Sequence, residues 1–284
     1  MFTDAPSPLQ YFATLVARDE DFPQTEAAAC LAQDERPGLD VQQVLADIDA
    51  LALRLRRKLP DDAGPEHRLH GLRRHFWGEL GFAGHVNDFY RAGNSHLDEV
   101  LRTRRGIPIS LAVLAIEVAQ QNGLRLYGIG FPGHFLLGLK LPGGEVVLDP
   151  LSGRSLSAES LEEMLLPFRA AGIARGEPQL PLSAWLAPTT PRALLSRMLH
   201  NLREIHRAQG DLARLLAVHE RLVVLQPEDP TLRRDRGLCL AELGRAGPAI
   251  RDLDDYLAAR PGAGDREMVL RRLADLRVGG ASAV

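Results

Sequence analysis

Gly210 and Gly244 are 34 residues apart, and so are Pro227 and Pro261, each proline following its glycine by 17. No other feature narrows the choice of fold as much. A period of this length accommodates two antiparallel helices per repeat, with the glycine in the turn between them and the proline ending the second helix. Gly237 and Ala249 supply small residues where the second pair needs close helix contact, whereas Arg203 and Leu215 stand at the matching places of the first. A closing helix is expected near residues 265–277. Two pairs fall short of the three usually needed for independent stability, so the repeats should lean on the chain before them.

Upstream, residues 1–98 read mainly as helix. In "DVQQVLADIDALALRLRRKL", residues 40–59, Val41, Val44, Leu45, Ile48, Leu51 and Leu55 form one apolar stripe behind Asp40, an N-cap candidate. "EHRLHGLRRHFWGELGF" is a weaker amphipathic helix closed by Gly81, and the chain then turns irregular. Residues 99–155 change character. An apolar helix over 111–121 is followed by "LYGIGF", "HFLLGLKL" and "EVVLDP", three short runs bounded by Gly and Pro, with a hairpin turn at "LPGGE". One helix and then consecutive strands is an α+β pattern. The four prolines of "PQLPLSAWLAPTTP", residues 178–191, predict a linker. The expected domains are therefore 1–185, an α+β unit with a helical N-terminal part, and 186–284, the all-α repeats.

Composition removes several function classes. With 34 Lys and Arg against 37 Asp and Glu, a net charge of -3, nothing points to nucleic acid or an anionic membrane surface. No uncharged apolar run is long enough for a membrane helix and no leader is apparent, so a cytosolic protein is expected. Cys30 and Cys239 each lie in an apolar helical pattern and read as buried thiols. His67, His70, His75 and His85 lack a neighbouring carboxylate or cysteine cluster with ligand spacing and read as solvated helix histidines; no metal is expected. No cofactor is expected either, because "GIGFPG" precedes a strand instead of opening a helix. Arg102, Arg104 and Arg105 should be solvated or paired with Asp.

Three polar residues carry the chemical interest. Ser110 opens the apolar helix, His134 follows "FPG" at the start of a strand run, and Asp149 ends the next run before Pro150. A hydroxyl at a helix start can be a nucleophile, helped by the helix dipole and by free N–H groups that bind an oxyanion, or a cap satisfying an orphan amide. If it is a nucleophile, His134 on one strand would take its proton and Asp149 on the next would orient the imidazole. Each also has an ordinary structural role: a backbone-bonded histidine, and a turn-starting aspartate.

"NDFYRAGNSHLDEVLRTRRGIPISLAVL", "FPGHFLLGL" and "LDPLSG" together resemble the SirB-type family of bacterial proteins, which joins a transglutaminase-like, papain-type core to C-terminal tetratricopeptide repeats. The resemblance implies that His134 and Asp149 stand in the places of the superfamily's catalytic histidine and aspartate. It also exposes a gap: an ungapped match of Gly106 to Gly123 with the usual cysteine helix puts Pro108 where the thiol belongs, with Ser110 two residues beyond. "FAGH" further departs from the "F-x-G-N" that the resemblance leads one to expect, placing His85 where an asparagine would be, while Asn87, Asp88, Asn94 and Ser95 keep the stretch polar. The expectation is a binding or regulatory protein that has lost its thiol and recruits a protein or peptide partner through the repeats. The alternatives are a serine-dependent amidase, peptidase or acyl transferase, and a scaffold in which only the repeats matter.

Overall fold

The computed structural model describes residues 6–18, 22–85 and 91–281. In chain order its helices are α1 (Pro8–Leu15), α2 (Gln24–Cys30), α3 (Val41–Arg56), α4 (Pro65–Arg73), α5 (Leu97–Thr103), α6 (Pro108–Gln121), α7 (Ala158–Ala174), α8 (Leu182–Trp185), α9 (Pro191–Gln209), α10 (Leu212–Leu225), α11 (Pro230–Glu242), α12 (Ala246–Ala259) and α13 (Arg266–Ala281). The strands are β1 (Ala83–Gly84), β2 (Arg105–Gly106), β3 (Tyr127–Ile129), β4 (Leu136–Leu141), β5 (Gly144–Leu148) and β6 (Ser155–Leu156). Contacts divide the chain into two compact units: Pro23–Gln33 with Gly38–Met198, and Met1–Phe22 with Asp34–Pro37 and Leu199–Val284. The division falls after Met198, inside α9, whereas the proline pattern puts it after residue 185.

The first unit is α+β. Helix α6 is its centre, with Ile109, Leu111, Ala112, Val113, Leu114, Ala115, Val118 and Ala119 all buried. A helix apolar on nearly every side has to be enclosed, and each large aliphatic side chain so buried contributes about 1.5–3 kcal/mol. The stripe of α3 follows the expected period: Val41, Val44, Ile48, Leu51 and Leu55 are buried, and Asp40 caps the helix by accepting from the Gln42 and Gln43 N–H groups at 2.9 and 3.2 Å. Strands β3, β4, β5 and β6 form one antiparallel sheet in that order. The hairpin turn is Pro142–Gly143, with Leu141 opposite Gly144.

Leu136 joins Ile129, Phe131, Val147, Leu161 and Leu165 in one cluster against α7. Leu137 and Leu139, which alternate with it in direction, are also buried. A strand covered on both faces reads as an unbroken apolar run, which is why "FLLGL" shows no alternation. The proline-rich segment is not a free linker. Leu182, Trp185 and Leu186 pack on that cluster, Pro188 bridges Ile129, and the Thr189 N–H donates to the Gly128 carbonyl at 2.8 Å. Prolines mark a segment that cannot donate a full ladder, yet they leave its side chains free to pack.

The second unit contains the repeats. At Gly210 (φ 67°) and Gly244 (φ 72°) the backbone is left-handed, and the hydrogen bonds repeat at the same interval: Gly210 to Arg207 and Asp211 to His206, then Gly244 to Ala241 and Arg245 to Leu240. This pairing closes a helix with a Schellman turn, for which glycine is the least strained residue. At Gly237 a Cβ would meet Asp252 Cβ and Leu253 Cγ at 3.0 Å, so α11 and α12 are in the close contact the sequence pattern predicts. The closing helix is α13. Helix α1, assigned from sequence to the other domain, packs on α10 with Phe12 fully buried.

Candidate functional site

Ser110 lies in the first turn of α6. Ile107 is the N-cap residue with extended backbone (φ -91°, ψ 164°), and Pro108 follows, where the missing N–H costs nothing. The Ser110 Oγ accepts from the Ile107 N–H at 3.1 Å and donates to the Asn94 carbonyl at 2.7 Å, with the Ile107 carbonyl at 3.0 Å. The side chain is fully buried. Gly106 is shaped to this hydroxyl: a Cβ there would lie 2.7 Å from Ser110 Oγ. Between the two sequence roles, these are the bonds of a cap. Ser110→Ala should therefore lower stability by about 1–2 kcal/mol, because it removes a buried hydroxyl with both a donor and an acceptor partner. Hydrogen exchange of the α6 amides reads this in the unit concerned; unchanged protection would mean that the hydroxyl is not structural.

His134 lies elsewhere in character. Phe131, Pro132, Gly133 and His134 make a turn closed by the His134 N–H donating to the Phe131 carbonyl at 3.0 Å, with Gly133 at φ 70°. Proline second and a left-handed glycine third are the requirements of a type II turn. The imidazole is exposed, precedes β4 by two residues, and makes no side-chain hydrogen bond or ion pair among the described residues.

Asp149 starts a folded turn between β5 and β6. Its carboxylate accepts from the Leu151 N–H at 3.0 Å and the Ser152 hydroxyl at 2.6 Å, while its carbonyl accepts from the Gly153 N–H at 2.8 Å. Trp77 fastens the turn, its indole N–H donating to the Pro150 carbonyl at 2.8 Å. The ring lies over Gly153, where a Cβ would be 2.5 Å from Trp77 Cδ2. "LDPLSG" is thus accounted for as a turn, and no hydrogen bond joins Ser110 to His134 or His134 to Asp149. The three residues do not form a hydrogen-bonded triad in this structure.

Other expectations change in detail. His67 and His70 are exposed, but His75 is buried, with Nε2 3.3 Å from the Leu51 carbonyl and Nδ1 3.3 Å from Glu79. It sits in a π-helical turn, Arg74–Glu79, that extends α4. The hydrogen bond from Lys58, then that from His75, holds the Glu79 carboxyl down at about 2. Arg102 pairs with Glu99, not with an aspartate, at 2.6 Å. Arg105 donates to the Gly81 carbonyl at 2.7 Å. Arg104 has φ 60°, left-handed for a non-glycine residue, and its guanidinium lies over Phe82, 4.7 Å from the ring centroid. Burial first, and then Arg54, push its pKa down. Asn87 and Asp88 lie outside the described residues. Both cysteines are buried and neither forms a disulfide, and burial pushes the Cys239 thiol up to about 11. Among the described residues no group of three or more His, Cys, Asp or Glu is placed to hold a metal, and no helix is long and apolar enough to cross a membrane.

Sequence reasoning missed the polar pair inside the repeat unit. Arg221 is fully buried, its Nε and Nη2 donating to the two carboxylate oxygens of Asp34 at 2.6 and 2.7 Å, with its guanidinium 4.9 Å from the Phe12 ring centroid. A signal was present: Arg221 falls between Val218 and Leu225 on the apolar stripe of α10.

Residues 42–200 match the family model described as "Transglutaminase-like superfamily", and residues 202–274 match a tetratricopeptide repeat model. A UPF0162 protein of Xylella fastidiosa (strain Temecula1) is 34% identical over 259 residues, 91% of this chain and 91% of the relative. A UPF0162 protein of Pseudomonas aeruginosa is 32% identical over 202 residues, 71% and 72% of the two chains. Among solved structures, menin is similar over 95% of this chain and 75% of its own at 10% identity, with a TM-score of 0.43, a likeness too slight to bear on function.

Proposed function

The chain belongs to the UPF0162 family, with a transglutaminase-like region followed by tetratricopeptide repeats, and on that premise we propose that it is a partner-binding or regulatory protein and not a working acyl transferase. The observation that carries this reading is the condition of the helix start. Where the superfamily resemblance places a thiol, this chain has Pro108, and the nearest hydroxyl, that of Ser110, is buried and bonded to the Asn94 carbonyl and the Ile107 N–H. Serine is a poor nucleophile without a base to take its proton, and His134 makes no bond to it. The SirB-type motifs support the same reading, since they pair this core with repeats. Stacked helix pairs offer an extended surface of the kind that takes protein segments, and recruitment of a protein or peptide is the role we assign to them.

The test uses the full-length folded protein with a fluorophosphonate probe and a panel of amide and ester substrates. The expected result is no adduct on Ser110 by intact mass and no turnover that depends on His134. An adduct at Ser110, or a hydrolysis or transamidation abolished by Ser110→Ala or His134→Ala, would overturn the reading in favour of a serine enzyme. For the partner role, photo-crosslinkers placed on α11 and α13 should capture a protein that the same groups on α7 do not; equal capture from both would remove the repeats from the proposal.

A further inference from the structure

Helices α3 and α5 flank a cavity of about 340 Å³ whose charged lining is Asp47 and Arg54 from α3, Asp98 and Arg102 from α5, and Arg104 just beyond α5. Three of these groups are basic and two acidic. Arg102 is committed to Glu99 through two hydrogen bonds, at 2.6 and 3.2 Å. Arg54 and Arg104 make no ion pair and no side-chain hydrogen bond among the described residues, and Arg104 Nη1 is buried without a partner. Two guanidiniums bordering one cavity repel each other, and a buried donor without an acceptor is costly.

Arg104 is also held where it is. Its backbone is left-handed (φ 60°, ψ 20°), a conformation that glycine would adopt without strain, and it is the only non-glycine residue with positive φ among the described residues. Phe82 supports the guanidinium from beneath, and Phe82 in turn stacks on Phe76 with centroids 4.2 Å apart. A guanidinium at the cavity wall, fixed over an aromatic ring and without a carboxylate partner, is placed to meet an anion.

We infer that the α3–α5 cavity binds the phosphate group of a small hydroxylated phosphate ester, with Arg104 and Arg54 as the binding pair. Two guanidiniums lining one cavity suit a tetrahedral dianion, which offers oxygens in several directions; a planar carboxylate is satisfied by one bidentate arginine. Asp47 accepts from the Gln43 side-chain amide at 3.0 Å through one carboxylate oxygen, and its other oxygen suits a hydroxyl of the rest of the molecule. The cavity is larger than a bare phosphate requires. This site is independent of the repeats and of Ser110, and stands or falls apart from the proposed function.

The experiment is isothermal titration of the full-length protein with inorganic phosphate, glycerol 3-phosphate and, at matched ionic strength, acetate. Wild type should bind both phosphates saturably, the ester more tightly, and acetate not at all. Arg104→Gly and Arg54→Ala should each weaken phosphate binding at least about tenfold, the loss expected for one charged bidentate partner. Arg104→Gly is chosen because glycine relieves the positive φ, so the fold should survive, and exchange protection of the α3 and α5 amides no lower than in Arg104→Ala checks this. No saturable binding of either phosphate at millimolar ligand, equal binding by both variants and wild type, or binding of inorganic phosphate with the ester excluded would overturn the inference.

Discussion

Asp34→Ala should destabilise the repeat unit by about 3 kcal/mol, a large loss for one surface-proximal carboxylate, because it deprives a fully buried guanidinium of its charge partner. The Arg221 side chain sits on the apolar stripe of α10, and the two short bonds to Asp34 and the Phe12 ring beneath it make its charge tolerable there. Attraction and desolvation nearly cancel in such pairs, so removing one partner costs far more than the pair itself contributes. The double variant Asp34→Leu with Arg221→Met should accordingly recover most of the loss. The chain has two compact units, so a single unfolding transition is the wrong readout. Hydrogen exchange of the α10 to α12 amides reports the affected unit. Unchanged protection in Asp34→Ala would show that the pair is incidental to folding, and a double variant as weak as the single would mean that the bonds themselves are stabilising.

Acidification is the second large effect. His219 is 5% exposed, and burial, opposed by Asp235 and reinforced by Arg203, His200 and Arg236, pushes its pKa down from 6.5 to about 4. The folded unit therefore holds the neutral imidazole, while the unfolded chain takes up a proton near 6.5. Stability from this group is complete above that value and is lost progressively as the pH falls to about 4, by on the order of 3 kcal/mol, below which no further loss comes from it. Burial lowers His200 and His206 in the same direction. In His219→Leu, protection of the repeat amides should decline less steeply over this window than in wild type, when exchange is corrected for its intrinsic pH dependence. Parallel declines would show that His219 does not titrate as its burial requires.

The repeat was legible because it depends on backbone chemistry that few residues supply. A left-handed turn every 34 residues calls for glycine, and a helix end followed by proline needs no tertiary information, so Gly210, Gly244, Pro227 and Pro261 carried the second unit almost alone. The stripe of α3 and its Asp40 cap were readable on the same grounds. Less was readable where a residue's neighbours come from far along the chain. His75 stands in a run of histidines and charges that looks solvated, but the π-helical turn carries it inward to the Leu51 carbonyl. Prolines over 178–191 looked like a linker because the pattern holds no record of the apolar cluster that Trp185 and Leu186 meet.

The candidate site divides along the same line. Ser110, His134 and Asp149 could be picked out as polar residues at the boundaries of apolar elements, in the order a triad needs, and their alternative roles as cap and turn residues could be stated beforehand. Which role each takes depends on distances between segments, from Asn94 to Ser110 and from Trp77 to Pro150, which local periodicity does not encode. The sequence by itself determined the α+β pattern, the paired repeat helices and the lack of a thiol at the start of α6, because these follow from residue type and spacing along one strand or helix. Only the tertiary structure decided that α1 belongs with the repeats, that Arg221 is buried against Asp34, and that the Ser110 hydroxyl is occupied as a cap. Burial and hydrogen-bond partnership are properties of what the rest of the chain brings to a residue.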